Sequence, residues 1–331
     1  MTKKPAPKSV AKKKAAPAAG MEAAMCQLEK MMASGDLITQ GDLNSLLTSL
    51  RGPSPADGLN DAEADARNRA QELAFDAMEA ESEAQARKLA KRALRLDSDC
   101  VDALVVLTDL DARTTRAMIA GLQQAVAAGE RSLGSKFIEE NRGHFWGLIE
   151  TRPYMRAMEQ LAGQLFAEGL NLDAIHIYER MLELNPNDNQ GIRDQLLGAY
   201  LCADDLQGAG KLLKRFKGDA GATFAWGSVL ERFLAGDPTG ADVALKTSRQ
   251  ANPFVELYMT GRKPIPRELP EMYSLGSEEE AKMCMDSVGR AWALHKDAVF
   301  WLMDRQVAEG SRTIPRKAAL KKVPVKGKRV Q

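Results

Sequence analysis

Three histidines (His144, His176 and His295) and four cysteines (Cys26, Cys100, Cys202 and Cys284) are the side chains best suited to hold a metal or attack a substrate. A metal site needs two or more such ligands at helical or turn spacing, for example i and i+4. No histidine has another histidine or a cysteine at that spacing, and the closest cysteines are 74 residues apart. Neither a zinc site nor a Cys-x-x-Cys redox pair is therefore indicated. The thiols are expected to be reduced, as in a cytosolic protein. Gly-x-Ser-x-Gly, Gly-x-Gly-x-x-Gly and Gly-x-x-x-x-Gly-Lys-Ser/Thr do not occur, so nucleophile elbows and phosphate-cradling loops are not indicated either. The acids at Glu139–Glu140, Asp204–Asp205 and Glu278–Glu280 suit helix starts and solvated faces better than general acid–base work. The expectation is a non-enzymatic chain with no catalytic residue, no cofactor and no metal.

One segment concentrates unusual side chains. Aromatic residues make up 5% of the chain, yet His144, Phe145, Trp146, Glu150, Arg152 and Tyr154 fall together in GHFWGLIETRPYM. As a loop over a groove, this segment would offer Arg152 to a carboxylate or phosphate. As a plug, it would use Phe145, Trp146 and Leu148 to fill a gap between helices, which is how aromatics are more often used.

Charge is distributed unevenly along the 331 residues. There are 46 basic and 45 acidic side chains, a net +1. Residues 1–20 hold six lysines and residues 312–331 hold eight lysines or arginines, with no acid in either, leaving 32 basic against 45 acidic residues between them. Two basic tails thus flank a body of net −13. Such tails can pair with a polyanion without sequence specificity, and this supports an alternative reading as a nucleic-acid-associated adaptor. They contain no aromatic residue for base stacking, and a solubilising role suits them equally.

These side chains must be positioned by helices. Ala, Leu, Met and Glu dominate the middle of the chain, and β-branched or aromatic runs are scarce. Residues 1–20 are expected to be disordered. Residues 21–34 read as a short helix, Asp42 caps a second one through Leu50, and residues 52–58 (GPSPADG) form a linker that closes the 21–58 region. The amino terminus lacks the apolar core of a secretory signal, and no stretch approaches a membrane span. Cytoplasmic localisation follows as the expectation. A helical body is expected over 59–311. Ala70, Leu73, Ala74 and Ala77, then Ala86, Leu89, Ala90, Ala93 and Leu94, carry the three- and four-residue spacing of amphipathic helices.

The body is also repetitive. Residues 155–188 place Leu161, Ala162, Leu165, Gly169, Ala174, Tyr178 and Pro186 at the seventh, eighth, eleventh, fifteenth, twentieth, twenty-fourth and thirty-second positions. This resembles the tetratricopeptide repeat, a pair of antiparallel helices of about 34 residues, with Met181 where that family has a small residue. Segments 67–100, 101–134 (Leu107, Ala120, Ala127), 190–222 and 223–253 repeat the design more weakly. Residues 135–154 and 254–276 break the period. Residues 277–309 read as a final helix pair, with Ser277 and Glu280 as a capping box and with the capacity to close an open end of the array.

The carboxy-terminal part is similar to the helical region of the suppressor of tumorigenicity 7 family, through Asn252, Pro253, Val255, Pro264, Gly276, Glu280, Ala281 and Trp292. That family's membrane-spanning amino-terminal part has no counterpart here, and it has no established catalytic residues to carry over. The fold expected is an all-α, tetratricopeptide-like solenoid with disordered basic tails. The repeat resemblance implies a scaffold whose concave groove holds a partner protein, as a peptide or helix. Its register puts Arg156, Glu159, Gly163, Phe166 and Ala167, then Asp194, Gly198, Leu201 and Cys202, on the groove. Ala174 is expected at a helix crossing near Ala162, with Glu179 on the exposed side.

Overall fold

The computed structural model describes residues 61–265 and 268–308. The expectations for 1–20, 21–34, Asp42–Leu50, 52–58 and 312–331 lie outside the described residues. Within them the protein is all-α, with no strand. Helix pairs occupy all five repeat segments: α1 (Asp61–Met78) with α2 (Glu83–Leu96), and α3 (Val101–Asp111) with α4 (Thr115–Leu133). After α5 (Ser135–Glu140) and two 3-10 turns come α6 (Arg152–Ala167) with α7 (Asn171–Leu184), α8 (Arg193–Cys202) with α9 (Leu206–Arg215), and α10 (Ala222–Leu234) with α11 (Pro238–Ala251). The short α12 (Val255–Met259), α13 (Glu278–Leu294) and α14 (Lys296–Ala308) complete the described chain.

Local chemistry sets these boundaries. The side chains of Ser82, Thr114, Asp205, Asp237 and Ser277 each accept a hydrogen bond from a backbone N–H in the first turn of the helix they precede. Those N–H groups have no partner within the helix, and each such cap contributes about 1 kcal/mol. Gly169 ends the helix before α7 with φ +80°, a conformation that side chains with a Cβ resist.

The 59–311 body expected as one array divides into two compact units, and the division falls in the stretch that breaks the repeat period. Unit 1 runs to Asn141 and includes 147–157; unit 2 comprises Arg142–Trp146 and Met158 onward.

Unit 1 is built on small side chains. Ala70, Ala74, Ala77, Ala90, Ala93 and Ala103 form a buried cluster, with Leu73, Leu89, Leu94 and Leu107 packed against it. The repeat register fails by one residue in 101–134. Ala120 is exposed and Ala127 only half-buried, while Leu122, Ala125 and Ala128 are buried. At the crossing stands Gly121, where a Cβ would collide with Thr108. One additional residue before the crossing rotates α4, so glycine rather than alanine provides the close approach.

In unit 2, Ala162 and Ala174 are both fully buried, and Tyr178 lies buried with its hydroxyl 3.9 Å from where a Cβ on Gly163 would stand. Ala174→Leu should therefore overpack this crossing and lower stability by about 1–3 kcal/mol. Exposed His176→Ala should change stability by no more than about 0.5 kcal/mol. Urea melts of the two variants provide the check, and equal midpoints would remove Ala174 from the crossing. Glu179 does not serve as the neutral comparison, because the Tyr200 hydroxyl donates to its carboxylate at 2.6 Å. Phe145 is wholly buried and His144 exposed, as a plug requires of that segment.

Candidate functional site

The groove positions assigned from sequence belong to the first helix of each pair, and in unit 2 that face is covered. Helix α13 packs along α8 and α10. It buries Glu280, Ala281, Cys284, Met285, Val288, Ala291 and Trp292. Its approach to α8 is set by Gly198, where a Cβ would run into the Ser287 backbone carbonyl. Trp292 meets Trp226 of α10 edge to face at 6.4 Å, both rings buried.

Three of the assigned groove residues meet α13. The Arg290 guanidinium lies 5.9 Å from the Phe166 ring centroid. It donates to the carbonyls of Phe166 at 2.6 Å and Ala167 at 3.4 Å, closing the end of α6. Gly198 contacts the α13 backbone, and Asp194 faces the first turns of α13. Leu201 is fully buried and turned toward Gly227 of α10, with its carbonyl 3.2 Å from His295 Nε2. Cys202 is half-buried near Arg290. Glu159 accepts from Gln190 at 2.6 Å. Two residues belong to unit 1. Arg152 starts α6, and Arg156 donates at 2.6 Å to the buried Asp102, which also accepts from Gln71 at 2.7 Å.

Below α13 lies a polar network whose extent the sequence pattern does not reveal. Arg193 on α8 pairs with Asp188 at 2.7 Å and with Asp219 at 2.6 Å. Its guanidinium lies 5.3 Å from the Phe216 centroid and 5.9 Å from that of Phe224. Glu280, 4% exposed, accepts from Ala222 N at 2.9 Å, from Asn252 Nδ2 at 3.0 Å and from Gly276 N at 2.6 Å. Asn252 is fully buried and also donates to Ser277 O, accepts from Phe254 N at its side chain, and accepts from Trp226 Nε1 at its carbonyl. The capping box is thus half realised. Ser277 accepts from Glu280 N at 3.1 Å, while the Glu280 carboxylate ties together the start of α10, the end of α11 and the turn before α13. Asn252 and Glu280 were visible as punctuation in the sequence, but nothing marked Asp188, Arg193 and Asp219 as one cluster.

The thiols are held in their protonated form. Burial pushes Cys100 up to about 12 and Cys202 up to about 11, and raises Cys284 well above its ordinary value. A thiol is nucleophilic as its thiolate, so these three are structural. Among the described residues no three His, Cys, Asp or Glu side chains group to hold a metal ion, and no helix is long and apolar enough to cross a membrane. No family model matches this chain, and no curated protein or solved structure does.

Proposed function

We propose that the chain is a non-enzymatic, tetratricopeptide-like interaction scaffold. The first-helix face of unit 2 is its receptor for an amphipathic helix, and α13 is the occupant of that receptor in the resting chain. The observation that carries this reading is the seating of α13 on α8 and α10, with Gly198 opened for its backbone. The partner class follows from α13 itself. It is a helix with a small-residue apolar stripe of the Ala281, Cys284, Met285 and Val288 kind, a large aromatic near its end, and an acid in its first turn.

A tethered helix competes at an effective concentration on the order of millimolar, so an outside helix at micromolar concentration displaces it poorly. The test uses the full chain carrying an inserted protease site next to Met272, which is 78% exposed. A fluorescent peptide of residues 277–296 should enter the groove after cleavage and do so at least about tenfold less before it. Gly198→Ala should weaken that entry. Failure of the peptide to exchange, or collapse of the helical signal once the cleaved fragment leaves, would make α13 a core element only and overturn the reading.

A further inference from the structure

The seat of α13 holds more acid than its single base can serve. Arg193 is the guanidinium of this pocket, and its bonds go to Asp188 and Asp219. Both oxygens of Glu280 are used by neutral donors, the backbone of Ala222 and Gly276 and the amide of Asn252. Asp194 is adjacent to Arg193 on α8, and among the described residues none donates a hydrogen bond to its carboxylate.

The groups facing Asp194 come from every side. Arg193 is on its own helix, Asp188 precedes that helix, Asp219 lies before α10, Glu280 and Cys284 are on α13, and Tyr273 is in the turn before α13. An ionised Asp194 would be a further anion in a pocket already holding Asp188, Asp219 and Glu280 against one cation. A neutral Asp194 removes that conflict.

We propose that Asp194 is a proton-operated latch: with its proton it lets α13 lie closed on α8, and on losing it drives α13 away from α8 and α10. This concerns how tightly α13 is held and stands whether or not an outside helix can take its place. Burial pushes the Asp194 carboxyl up to about 7, with Asp219, Asp188 and Glu280 adding to the rise and Arg193 opposing it. The sign follows. Between the ordinary carboxylate range, about 4, and about 7, the closed state keeps a proton that the open state has lost. Closure is therefore strongest at the acid end of that window, weakens as pH rises through it, and levels off above neutrality. Within the window each pH unit changes the open fraction by up to about tenfold.

Hydrogen exchange on the full chain reads this directly, with rates divided by the intrinsic rate at each pH. Protection of the amides of 281–292 should fall about tenfold or more between about pH 5.5 and 7.5. Amides of α1 in the same sample should hold steady. Asp194→Asn should keep α13 protected across the range, and Asp194→Ser supplies a second neutral side chain should the amide pack badly. A wild-type profile without slope, or the same slope in both neutral variants, would overturn the latch. Failure of the peptide-exchange experiment leaves these profiles unaffected, so the two ideas fall separately.

Discussion

Arg193→Ala should destabilise unit 2 by about 3–5 kcal/mol, the usual consequence of stripping one partner from a buried ion pair. The Asp188 side chain has no exposure and Asp219 little, so neither can turn to water when the guanidinium is gone. Phe216 and Phe224 also lose the cation that lies against both rings. The comparison is Arg232→Ala. That arginine pairs with Asp237 at 3.1 Å, with side chains 47% and 48% exposed. Pairs of that kind contribute about 0–1 kcal/mol. Urea melts followed by circular dichroism should separate the two variants clearly. Similar midpoints would mean that Arg193 is not the pocket's electrostatic anchor.

Glu280→Ala should cost a comparable amount, about 3–5 kcal/mol, because each buried donor left without an acceptor costs about 1–3 kcal/mol. The Ala222 N–H is buried and would be left without its acceptor, the Gly276 N–H would lose its partner, and Asn252 would keep only its bond to Ser277. Glu280→Gln should fall between the two, since its amide can still accept through one oxygen. Glu279→Ala, one residue earlier and exposed, should be near neutral. Thermal melts of the four proteins provide the check. A Glu280→Ala midpoint equal to that of Glu279→Ala would show that the carboxylate does not tie α10, α11 and α13 together.

The helix pairs were legible because the information is local. Alanines at three- and four-residue spacing, capping side chains and Gly169 all act within a turn or two of themselves. The crossing at Ala162 and Ala174 follows from the same pattern. The one-residue shift in 101–134 was not legible, because the turn between α3 and α4 can absorb an extra residue without altering either helix's own periodicity. Glu179 looked free because it is exposed, but its partner Tyr200 lies 21 positions away on another helix. The seating of α13 was hidden for the same reason. Its apolar stripe is plain from sequence, whereas what that stripe covers depends on pairings such as Gln195 with Asp286, 91 positions apart. Phe166, Asp194 and Gly198 were correctly placed on one face, and the chain supplies the cover for that face itself.

The distance between α8 and α13 along the chain has a consequence for the order in which the protein is made. Unit 1 buries its alanine cluster between helices that are close in sequence, and can complete that core soon after they leave the ribosome. In unit 2 the side chains that cover α8 and α10 are synthesised last. Until residues 278–294 emerge, a nascent chain presents Trp226, Leu197 and the acid-rich pocket around Arg193 without their cover. Closing so long a loop also adds an entropic delay. A ribosome stalled before Glu278 would therefore hold unit 2 in a state that chaperones recognise, and premature termination there would yield an aggregation-prone product rather than a shorter stable one.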